Sequence, residues 1–174
     1  FIKNDFKTYK KTMIKLEDIK DYFGNAMKTF PKADFVEDNK LSATTRKILY
    51  EIGLPNYHGY GGDYIMLDKL QLIDGQYLQF ATRDFDEKYY KECIDLRTEK
   101  IVFNLKFDYA RSEGDEAYHI INSDLESYLK YVFIFDKYRK EIEIPEKLGD
   151  YDENHSKYAE VLKKQLLSIN NDVN

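Results

Sequence analysis

The sequence predicts an α+β fold: a single domain, residues 1–174, in which a mainly antiparallel sheet of about six strands is flanked by N-terminal and C-terminal helices. Three observations predict it. A chain of 174 residues is long enough for one sizeable core and short for two. Apolar residues recur at helical spacing near both ends and as short alternating runs between them. Most gaps between those runs are a few residues long and rich in turn formers, which suits hairpins better than crossovers.

Leu16, Ile19, Tyr22 and Phe23 share a helical face and Gly24 follows as a stop, so the first helix is expected over Lys15–Phe23. From Asn25 to Lys40, Pro31 and mixed Asp, Asn and Lys predict a surface connection anchored by Phe30 and Phe35. Ser42 then suits an N-cap, and Ile48, Leu49 and Ile52 line one face before Gly53, expected as a left-handed cap, and Pro55. The glycine-rich stretch from Asn56 to Asp63 reads as a loop. Strands are expected over Tyr64–Leu67, Leu70–Ile73, Gln76–Thr82, Glu92–Asp95, Ile101–Leu105 and Tyr118–Ile121, with Asp74-Gly75 as the clearest hairpin turn. The segment from Thr82 to Tyr90 reads as a loop. Ser123 and Glu126 have capping-box spacing ahead of a helix from Asp124 to about Tyr138. Tyr158, Val161, Leu162, Leu166 and Ile169 predict a last amphipathic helix over residues 154–169.

Composition removes several function classes. With 27 Lys plus Arg against 32 Asp plus Glu the net charge is −5, which disfavours direct nucleic-acid binding. The first fifty residues carry +4 and the remainder −9, so the body of the protein would attract a basic partner. No run approaches the roughly 18 apolar residues of a membrane helix, so no membrane is expected. The single cysteine, Cys93, fits a reducing, cytoplasmic setting and cannot supply a zinc-ligand spacing.

The chain contains no phosphate loop, dinucleotide fingerprint, nucleophile elbow or His-Glu-x-x-His motif. Tyr60-Gly61-Gly62-Asp63 precedes a strand rather than a helix and reads as a turn. Cys93, His58 and His119 could form a nucleophile and base only if the fold brought them together; Cys93 in a strand reads instead as a small buried hydrophobe. Asp84, Asp86 and Glu87, like Glu113, Asp115 and Glu116, lack the spacing of a calcium loop and read as solvated or protein-binding carboxylates. Neither a catalytic residue, a metal site nor a cofactor is therefore expected. Aromatic residues make up 16% of the chain, with 16 Tyr, 11 Phe and no Trp; tyrosine suits interfaces, and most of the tyrosines outside loops are expected to finish the core. The expected partner-binding residues are Tyr57, Tyr60, Asp63, Asp84, Asp86, Glu87, Tyr89 and Tyr90, aromatics and carboxylates placed in or beside loops.

Three segments carry a family resemblance. Thr45-Arg46-Lys47-Ile48-Leu49-Tyr50-Glu51-Ile52-Gly53-Leu54-Pro55 resembles the helix ending in Gly-Leu-Pro of a subgroup of the SUKH superfamily of bacterial immunity proteins. Ile94-Asp95-Leu96-Arg97-Thr98-Glu99-Lys100-Ile101-Val102 is similar to that family's strand, tight turn and strand, with Glu99 where glycine is common. His119-Ile120-Ile121-Asn122-Ser123-Asp124-Leu125-Glu126-Ser127-Tyr128-Leu129 resembles its Asn-Ser lead into a long helix. Order and spacing also match, over roughly residues 15 to 140. The resemblance implies a non-catalytic α+β domain that neutralises a cognate toxin domain, a nuclease or nucleic-acid deaminase in many members, by tight stoichiometric binding. The expected partner is thus a protein, and the expected state a monomer or weak homodimer. A regulatory scaffold for a cellular protein, as in eukaryotic members, is the alternative; a small hydrolase using Cys93 or the Asp84 group is a third.

Overall fold

The computed structural model describes residues 14–32, 40–56, 63–85, 88–105 and 117–141, together with positions 160, 163, 164 and 167. Its architecture is α+β: three helices and two antiparallel sheets among the described residues. The first helix, α1 (Leu16–Phe23), starts where Asp18 accepts a hydrogen bond from the Lys15 N–H at 3.2 Å. Ile19 points inward and is fully buried. A short strand β1 (Met27–Lys28) pairs with β2 (Leu54–Pro55).

Between them, α2 (Ala43–Lys47) is capped by Ser42, whose hydroxyl accepts the Thr45 N–H at 3.2 Å. It widens into a π-helical turn, Ile48–Ile52, closed by a bond from the Gly53 N–H to the Ile48 carbonyl at 2.7 Å. Gly53 is not the left-handed cap expected: its φ of 93° and ψ of 175° lie in a region open only to glycine. A Cβ there would also stand 2.8 Å from the Lys28 carbonyl oxygen, so this glycine lets the β1–β2 pair close against the helix end.

The main sheet runs in chain order, β3 (Asp63–Ile73), β4 (Tyr77–Phe85), β5 (Lys88–Asp95), β6 (Ile101–Leu105) and β7 (Ala117–Asn122). It has five strands where about six were expected, because Tyr64–Leu67 and Leu70–Ile73 belong to one strand. Asp68 and Lys69 break the alternation in sequence, yet the ladder accommodates them as an irregularity between Met66 and Gln71 and returns Leu70 to the core. Asp74 and Gly75, at φ 51° and 67°, form the expected tight turn. The segment Thr82–Tyr90 is not the loop expected: β4 and β5 continue through it, pairing Asp84 with Tyr89 and Phe85 with Lys88.

The long helix α3 (Leu125–Glu141) lies against the sheet, burying Leu125, Tyr128, Leu129 and Val132 at helical spacing. Its N-cap is Asp124, which accepts the Ser127 N–H at 2.7 Å, and not Ser123. A carboxylate outcompetes a hydroxyl for that amide, and Ser123 donates to Asp124 instead. Helix α1 docks on α3 through Tyr22, whose hydroxyl donates to Asp136 at 3.1 Å and whose ring meets Phe133 edge-on at 5.0 Å. The core thus sits between the sheet and the three helices. Of the C-terminal helix expected over 154–169, positions 160, 163, 164 and 167 are helical and exposed; the rest lies outside the described residues. No helix among the described residues is long and apolar enough to cross a membrane.

Candidate functional site

The helix-facing side of the sheet carries a buried charge pair that strand alternation alone would not place there. Gln79 opposes Cys93 but Ala81 opposes Glu92, so Phe80 is an extra residue in β4. Without it, residues 77, 79, 81 and 83 would share one face. The bulge instead brings Ala81 and Arg83 round to the helix side, where the Arg83 Nε donates to one Glu92 oxygen. The other Glu92 oxygen accepts the Tyr128 hydroxyl of α3 at 2.6 Å. Glu92 is 1% exposed, so both of its oxygens are satisfied by protein.

Arg83 also lies over the Tyr64 ring, 5.5 Å from its centre. Burial disfavours its charge, but the neighbouring Glu92 carboxylate more than offsets this and its pKa is raised. Burial, reinforced by the same carboxylate, pushes the Tyr64 and Tyr128 hydroxyls well above the ordinary tyrosine range. Both are neutral donors throughout the accessible pH range. The Tyr64 hydroxyl is buried and meets no hydrogen-bond partner in bonding geometry among the described residues.

Above this group lies a cavity of about 470 Å³ between sheet and α3. Its walls are Pro55, Phe103, Ile121, Tyr131, Val132 and Phe135 with the polar Asn122 among them, and Arg83, Glu92, Tyr64 and Tyr128 form its polar end. Ile121 and Tyr131 are about two-fifths exposed, so the cavity opens to solvent at that rim. An apolar chamber with a few convergent polar groups is the form small-molecule and anchor-residue pockets take.

Of the residues expected to bind a partner, the backbone sets Asp63, Asp84 and Tyr89 at one register position across β3, β4 and β5. Tyr90 is one step nearer the cavity, opposite Arg83, and its ring stacks on Phe103 with centres 5.0 Å apart. Tyr57, Tyr60, Asp86 and Glu87 lie outside the described residues. Arg83, Glu92, Tyr64 and Tyr128 were not expected. One signal was available: in Glu92-Cys93-Ile94, Glu92 shares its face with Ile94, and a carboxylate on an apolar face needs a partner. Cys93 faces the other side of the sheet, fully buried, with its thiol pushed up to about 12 by burial, which makes it inert at neutral pH. Among the described residues no group of His, Cys, Asp and Glu is placed to hold a metal ion. Comparison of the chain with protein-family models, with curated proteins and with solved structures finds no match.

Proposed function

We propose that the protein is a cytoplasmic immunity protein that binds a cognate toxin domain and neutralises it by stoichiometric occlusion. The observation that carries this reading is the ordered, three-segment resemblance to the SUKH superfamily. Two physical features support it. The three segments fall on α2–β2, β5–turn–β6 and β7–α3, and they are in mutual contact: Glu99 of the second accepts hydrogen bonds from the Thr45 hydroxyl that opens the first and from the Ser42 N–H just before it. Pro55 of the first and Ile121, Asn122 and Tyr128 of the third border the same cavity.

The second feature is charge. Residues 51–174 carry −9, a field that would speed encounter with a basic nuclease, and the row of Asp63, Asp84 and Tyr89 lies at the end of the sheet beside it. The test is co-purification from the native locus of the tagged protein with its neighbouring gene expressed, through a high-salt wash. A stoichiometric partner matching the variable C-terminal domain of a neighbouring secreted protein is the expected result. Recovery of the protein alone would overturn the reading in favour of a regulatory scaffold.

A further inference from the structure

We propose that the cavity between the sheet and α3 is a binding site for a small aromatic or branched apolar carboxylate, held by the outer edge of the Arg83 guanidinium. This goes beyond the toxin reading and does not depend on it. The guanidinium has five N–H donors. One, on Nε, goes to Glu92, and the Tyr128 hydroxyl is a second hydrogen-bonding neighbour of the group, so two partners leave donors over. Arg83 lines the cavity with its side chain 28% exposed, so a ligand in the chamber can reach the guanidinium.

The outer edge of that group presents two parallel N–H groups, the fork that matches the two oxygens of a carboxylate. Glu92 meets the guanidinium from the Nε side, and its other oxygen takes the Tyr128 hydroxyl. What Glu92 does is fix the plane of the guanidinium, so the fork is oriented before a ligand arrives. The Tyr64 ring beneath it removes a further degree of freedom.

The walls decide the rest of the ligand. Phe103, Tyr131 and Phe135 are aromatic, Val132 and Ile121 branched and Asn122 polar but uncharged, and among the described residues no second cation lines the chamber. A phosphate or a dicarboxylate would leave charge against these walls without a partner, whereas one carboxylate on a flat apolar body matches both ends. The volume of about 470 Å³ lies within the roughly 300–1,000 Å³ of small-molecule sites.

The probe pair is 2-naphthoate and 2-acetonaphthone, alike in size, one anionic and one neutral. Binding of each probe can be followed by titration calorimetry, which needs no chromophore. Titration of the full chain is expected to show one site, with naphthoate about tenfold or more tighter than the ketone, the weight of one charge-assisted pair. The double variant Arg83→Met/Glu92→Gln, which keeps the buried charge balanced, should abolish that preference and leave ketone binding within about twofold. Ile121→Trp, at the exposed rim, should weaken both probes and leaves the core untouched, so it serves even if the double variant does not fold. Equal affinity for the two probes, a preference that survives the double variant, Ile121→Trp binding like the parent, or no binding of either probe would each overturn the proposal.

Discussion

Two buried carboxylates, Glu92 and Asp95, stand three residues apart on β5 and find their hydrogen-bond partners by different means. Asp95 draws on its own neighbourhood: the Arg97 N–H at 3.0 Å, the Thr98 hydroxyl at 2.8 Å and the Gln76 amide at 3.2 Å. Burial works against its charge, but these bonds outweigh it and hold its pKa below the ordinary value. Glu92 instead depends on a guanidinium from β4 and a hydroxyl from α3. A turn carboxylate is satisfied as soon as the turn forms, whereas Glu92 is satisfied only when the bulge, the sheet and the helix are all in place. The first arrangement stabilises a hairpin; the second specifies how layers dock and leaves donors over for something else.

Removing the partner of each group should separate the two cases. Arg83→Met strands a carboxylate that is 1% exposed, and unfolding in urea should show a loss of about 3 kcal/mol, the low end of the range for broken buried pairs because the guanidinium is partly exposed. Addition of Glu92→Gln should recover most of that loss; a cost under about 1 kcal/mol for the single variant would erase the contrast. Asp95→Asn should cost about 1–2 kcal/mol at neutral pH.

The same substitution carries a pH signature. Because the folded pKa of Asp95 is lowered from 3.8, its contribution is complete above that value and is lost as pH falls through the lower folded one. Stability measured from pH 7 down to pH 2 should therefore fall less steeply in Asp95→Asn than in the parent. The smallest effect belongs to Gln76→Ala, which removes the longest of the three bonds, at 3.2 Å, and should cost about 0.5 kcal/mol, with the Arg97 and Thr98 bonds intact.

Much of the fold was legible in the sequence. Helix α1, the α2 segment ending at Gly53, the Asp74-Gly75 turn and α3 rest on local signals: spacing, caps and breakers. The strand count was not, because a charged pair inside a strand and a gap between strands look alike until register is known. The candidate site was mostly illegible. Arg83 reaches Glu92 only because Phe80 adds one residue to β4, and nothing in Leu78-Gln79-Phe80-Ala81 announces a bulge. Of the expected contact residues, Tyr90 alone is tied by a described side-chain contact to the cavity wall, through Phe103. Loop composition pointed to the end of the sheet, whereas the chamber is made where distant elements meet.

Glu99 ties the persistence of one element to that of another. It holds a φ of 56°, a conformation costly for a residue with a side chain, and its carboxylate satisfies the Ser42 N–H from 57 residues away in the chain. Helix α2 has five residues before its π turn, too few to persist alone in water. Its first amide and its Thr45 hydroxyl acquire their acceptor only after β5 and β6 have closed. The persistence of α2 therefore reports on a turn it never touches in sequence: whatever loosens the β5–β6 turn removes the acceptor of the helix's first amide.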